Sequence, residues 1–86
     1  MNGYDKESKV FFIEKKAELL ANEIYLYDKY YKDNNETFEQ LYQTSNDNII
    51  ITEDEKRLLF NRAKKILSEK YNMKLIRSNP VIVEKL

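Results

Sequence analysis

One glycine, Gly3, and one proline, Pro80, punctuate the whole chain, so tight turns are few and long helices are favoured. The first helix is expected from about Asp5 to Lys32. Within it Val10, Ile13, Ala17, Leu20, Ile24, Tyr27 and Tyr31 recur at alternating spacings of three and four, which places them in one apolar stripe. A second row, Phe12, Leu19 and Leu26 with Tyr30 close by, lies about 100–140° around the helix. Lys16 and Glu23 separate the two rows. A helix with one covered face does not need both rows.

The run Asp33-Asn34-Asn35 ends that helix, and Asn35 is expected to cap the next, residues 36–44, whose inward face is Phe38, Leu41 and Tyr42. Ser45 to Asn48 reads as a polar loop, and Ile49-Ile50-Ile51, short and β-branched, as a strand. Thr52 and Glu55 have capping-box spacing and start a third helix, residues 53–71. Its inward residues are Leu59, Ala63, Ile66 and Leu67, with Leu58, Phe60 and Tyr71 widening that face. Segments 73–77 and 81–85 read as a C-terminal hairpin around Ser78-Asn79-Pro80, where the missing proline N–H demands a strand edge. The expected fold is therefore α+β and predominantly helical, a single domain over residues 1–86, with a small sheet from 49–51 and the hairpin.

A chain this short buries only about 60–65% of its unfolded surface, so association between copies would widen a thin margin. With no Cys there is no disulfide framework or thiolate chemistry, and with no His the usual proton shuttle is missing. No Gly-rich loop is present to cradle phosphate. Glu14 with Glu18, and Glu36 with Glu39, share helical faces, but surface acids at these spacings are commonplace. The acids from Asp47 to Glu55 lack the glycine of a calcium-binding loop. The sequence thus points away from an enzyme, and no catalytic residue, metal ligand or cofactor site is assigned. No apolar run approaches the roughly 20 residues of a membrane span, and no secretory leader pattern opens the chain, so a cytoplasmic setting is the simplest expectation. Lys, Asn, Ile and Tyr fill 36 of 86 positions, a bias that suits an AT-rich genome such as that of a low-GC bacterium, phage or other mobile element.

Charge is the most informative global feature. The chain is neutral overall, yet residues 1–55 carry 13 acids and 6 bases, whereas residues 56–77 carry 8 bases against Glu69 alone. On the third helix Arg57, Asn61, Lys64 and Ser68 form one stripe, flanked by Arg62 and Lys65. Part of this is a helix suiting its own dipole, with acids at the first turn and bases later. The dipole does not account for Arg57 or for the size of the excess.

Arg57, Asn61, Arg62, Lys64 and Lys65 are accordingly the candidate partner-binding face, for an acidic protein or for nucleic acid. Tyr25 and Tyr30, with Phe12, Leu19 and Leu26, are the candidate interface for a partner or for a homodimer. Tyr27 and Tyr31 are expected to finish the core stripe with their hydroxyls at the surface. The leading expectation is a small interaction protein that acts by binding another macromolecule, with inhibition of that partner one outcome such binding could have. The alternative is a dimeric DNA-binding regulator using the third helix and the hairpin, although Ser45 to Ile51 is too long for the turn of a helix-turn-helix. A structural assembly subunit is a third reading. No motif is specific enough to name a family.

Overall fold

The computed structural model describes residues 6–46 and 50–86. It contains three helices, α1 (Lys6–Leu26), α2 (Phe38–Ser45) and α3 (Glu53–Tyr71), followed by a hairpin of β1 (Met73–Ser78) and β2 (Val81–Lys85). Helix covers well over half of the chain, as the scarcity of glycine and proline predicts. The expected first residue of α1, Asp5, lies outside the described residues.

Local chemistry sets most of the ends. The Thr52 hydroxyl accepts the Glu55 N–H at 3.1 Å while Glu55 accepts the Thr52 N–H at 2.8 Å, closing the expected box at the start of α3. Asn72, left-handed at φ 55°, ends α3 and donates its N–H to the Leu67 carbonyl. At the start of α2 the cap is Thr37, not Asn35. Thr37 and Gln40 form a second reciprocal box at 3.1 and 2.7 Å. Asn35 instead takes the left-handed conformation that ends the preceding helical segment, its N–H reaching the Lys32 carbonyl.

That preceding segment departs from the simple stripe. After Leu26 the backbone widens into a π-type turn over Tyr27–Tyr31, then tightens into a 3₁₀ turn over Lys32–Asn34. A π turn inserts one residue into the helical repeat, so the spacing that aligned Tyr31 with the core no longer holds. Tyr31 is exposed, whereas Tyr27 is buried. The Tyr27 hydroxyl is also not at the surface. It donates to the Lys32 carbonyl at 3.1 Å and accepts the Glu36 N–H at 2.8 Å. The Glu36 carbonyl in turn accepts the Val81 N–H at 2.8 Å, so one tyrosine ties the end of the first helical segment to the loop that holds β2.

Lys9 lies beside Glu55, Glu14 beside Arg62, and Tyr25 stacks on Tyr71, so α1 and α3 run parallel. The short α2 returns antiparallel to α1, its C-terminal Asn46 donating to the Lys16 carbonyl. The core lies between them. Ala17, Leu20, Ala21 and Ile24 of α1 meet Phe38, Leu41 and Tyr42 of α2 and Leu59, Ala63, Ile66 and Leu67 of α3. Alanines at positions 17, 21 and 63, all fully buried, allow the helix backbones to approach closely. Met73 and Val81 close the end of the core from the hairpin.

Among the described residues the sheet has two strands only, paired antiparallel. The expected strand 49–51 is not formed where it can be seen. Ile50 and Ile51 belong to no strand, and Ile49 lies outside the described residues. The hairpin packs at the far end of α3, out of reach of a third strand preceding that helix. Ile51 packs against the core, while Ile50 is 97% exposed. In the hairpin Lys74 faces Glu84, and a bulge between Leu75 and Arg77 turns Ile76 outward.

Candidate partner-binding groove

Neighbouring residues on a helix point about 100° apart, so Leu58 and Leu59 cannot both face the core, nor can the run Val10 to Ile13. The structure shows where the surplus goes. Val10, Ile13 and Glu14 on α1 face Leu58, Asn61, Arg62 and Lys65 on α3 across an open groove of about 400 Å³. Both sets follow the i, i+3, i+4 pattern that keeps side chains on one side of a helix. Val10 is 65% exposed and Leu58 59%, while Ile13 is half-buried between them. The groove is therefore apolar along its floor and carries an amide and two cations along one wall.

A two-pronged ion pair crosses it. Arg62 donates through Nε to Glu14 Oε1 at 2.6 Å and through Nη2 to Oε2 at 3.0 Å. The hydrogen bond from Arg62 holds the Glu14 carboxyl below its ordinary range, against a smaller opposing effect of partial desolvation. Only part of the guanidinium is used, and its remaining N–H groups are still able to donate. Lys65 and Asn61 are exposed, and Lys65 makes no ion pair among the described residues. Beyond Ile13 a second recess of about 220 Å³ is lined by Lys9, Phe12, Ile50, Ile51 and Glu55.

The predicted basic face is thus divided. Asn61, Arg62 and Lys65 line the groove. Arg57 and Lys64 are exposed on the other flank of α3, where the Lys64 ammonium lies 6.0 Å from the Phe38 ring centre. Sequence reasoning did not single out Lys56, which pairs with Glu39 at 2.8 Å and lies over the Tyr42 and Phe60 rings. It also placed Leu58 with the core-facing residues. The adjacent Leu58-Leu59 pair was the available signal that one of them faces out.

Of the candidate interface residues, Tyr25 is half-buried by its stack on Tyr71, with ring centres 4.7 Å apart. Tyr30 is 63% exposed beside Tyr31. The Lys29 ammonium lies over both the Tyr25 and Tyr30 rings. Phe12 and Leu26 are half-buried and Leu19 is exposed on the outward side of α1.

The ion pairs make stability pH-dependent in a defined direction. Glu14 is held low by Arg62, and Glu55 by its hydrogen bonds from Lys9 and the Thr52 backbone. A depressed carboxyl pKa contributes stability that is present above the unfolded value, about 4.3, and is lost as pH falls through the folded value. Melting temperature should therefore fall as pH drops below about 5, and Glu14→Gln should flatten that slope. Lys56, raised chiefly by its bond to Glu39, acts oppositely, with its contribution lost only above about pH 10.4. Thermal melts across this range check both arms.

No known protein family, curated protein or solved structure matches this chain. Among the described residues no group of side chains is placed to hold a metal ion, and no helix is long and apolar enough to cross a membrane. The chemistry of the groove carries the functional reading.

Proposed function

We propose that this chain is a small protein-binding module that takes an acidic, apolar-faced segment of a partner protein into the groove between α1 and α3. The observation that carries this reading is the exposure of Val10 and Leu58 side by side with Arg62 and Lys65. Apolar anchors supply binding energy by leaving water, about 1.5–3 kcal/mol for each large side chain fully covered. The cations select carboxylates at the edge and steer the approach. An amphipathic helix with apolar residues at i, i+3 or i+4 and acids beside them matches both features. Binding would act by occupancy, withholding the captured segment from its other contacts, which suits inhibition of the partner.

Nucleic acid fits this surface less well. Phosphate binding gains nothing from Val10 and Leu58. The next stretch of the same seam, lined by Glu14, Glu18, Ile66, Glu69 and Lys70, would set three carboxylates against an extended polyanion but lies beyond a short segment anchored at Val10 and Leu58. The paired variant Leu58→Glu with Lys65→Glu tests the reading. Both sites are exposed, so the fold should change in stability by no more than about 0.5 kcal/mol per site. Synthetic amphipathic helical peptides serve as probes, one acidic and one with its acids replaced by lysines. The wild-type chain should prefer the acidic peptide, and the paired variant should bind it at least about tenfold more weakly. Equal binding of both peptides, or tighter binding of duplex DNA than of the acidic peptide at physiological salt, would overturn the proposal.

A further inference from the structure

On the side of α1 opposite Val10, Phe12, Leu19 and Leu26 recur every seven residues and form one line along the helix. Leu19 is 46% exposed, and Phe12 and Leu26 are each partly exposed beside it. Charges border this line unevenly. Lys15 and Lys16 sit towards its start and Glu23 towards its end, and none of the three makes an ion pair among the described residues. Lys15 and Lys16 instead lie over the rings of Phe11 and Phe12.

This arrangement complements itself when reversed. A two-fold axis through Leu19 sets Leu19 against its own image and brings Phe12 level with the second copy's Leu26. The same operation brings Lys15 level with the second copy's Glu23 and Lys16 with its Asn22. A parallel pairing would instead align lysines with lysines and Glu23 with Glu23, which is repulsive. From Phe12 to Leu26 the line runs for about 21 Å, long enough for four turns of helix to pack.

We infer that the outward face of α1 is the interface of an antiparallel homodimer, with its two-fold axis at Leu19. The contact is isologous, so the same patch serves both copies and the assembly closes at two. Because Val10 lies half a turn around α1 from Leu19, the dimer leaves both α1–α3 grooves open. The inference is therefore independent of what those grooves bind.

Sedimentation of the full chain should give twice its 10.4 kDa mass. Leu19→Lys places two ammonium groups at the axis and should give the monomer mass with an unchanged helical circular dichroism spectrum. Glu23→Lys should weaken association, and adding Lys15→Glu and Lys16→Glu to it should restore the dimer, because the reversed charges again complement one another. Since the chain has no cysteine, orientation is read by cross-linking. A mixture of Phe12→Cys and Leu26→Cys chains should form a mixed disulfide-linked dimer faster than either alone. A monomeric wild type at millimolar chain concentration, a dimer indifferent to Leu19→Lys, or preferential self-linking of Phe12→Cys would each overturn the inference.

Discussion

Leu20→Ala lowers the melting temperature by about 8–40 °C, among the largest effects expected of a single truncation here. Leu20 has no exposed surface and belongs to the core cluster to which α1, α2 and α3 all contribute. Removing its isobutyl group loses the transfer energy and leaves a cavity, together about 2–5 kcal/mol. A chain of 86 residues has only about 4–13 kcal/mol of net stability from which to lose it. The alanines around it, Ala17 and Ala21, offer no long side chain that can swing into the space. Leu58→Ala is the control, since that leucine is exposed in the groove and its loss should change stability by no more than about 0.5 kcal/mol. Denaturant titration of both variants checks the contrast. A Leu20→Ala protein that melts with the wild type would mean that the three helices do not meet at this residue.

Tyr27→Phe destabilises the chain by about 2 kcal/mol, near 8–16 °C in melting temperature, although only one oxygen atom is removed. The ring remains buried, so apolar packing is unchanged. The hydroxyl, however, satisfies two backbone groups, the Lys32 carbonyl and the Glu36 N–H. Phenylalanine leaves the Glu36 N–H without that partner beside a buried ring, while the Lys32 carbonyl keeps its bond from the Asn35 N–H. Leaving a buried polar group unsatisfied costs more than a formed bond contributes. The effect should travel, because the Glu36 carbonyl also holds the Val81 N–H. Amide hydrogen exchange should accelerate at Glu36 and Val81 together, while exchange in the middle of α3 follows only the global change. Acceleration at Glu36 with Val81 unmoved would show that the hairpin is held by its side chains alone.

The sequence by itself determined the elements whose signals lie within one helical turn. The bounds of α3 follow from the Thr52–Glu55 box and from the basic last turn before Asn72, all within reach of a few bonds. The inward residues of α2 and α3 follow from helical period, because burial of an amphipathic face is decided by spacing. The hairpin follows from two β-rich segments about a proline. The start of α2 was legible as well, in Thr37 and Gln40, but Asn35 offered a competing local signal, and only the traced chain shows it ending one helix rather than starting the next.

Tertiary structure decided what depends on which element lies beside which. The turn at Tyr27–Tyr31 widens where the Tyr27 hydroxyl bridges two backbone groups on the far side of the loop, a contact between residues that no helical period relates. Ile50 and Ile51 have strand propensity and no strand to pair with, so propensity has nothing to act on. The cations of α3 are alike in sequence, yet Arg62 meets Glu14 and Lys56 meets Glu39, whereas Arg57, Lys64 and Lys65 meet no acid among the described residues. Such pairing acts over a few ångströms and is screened by salt within about 10 Å, so net charge along the chain cannot say which cation is neutralised. The placement of α3 against α1 and α2 makes that choice, and with it leaves Val10, Leu58 and Lys65 exposed along the groove.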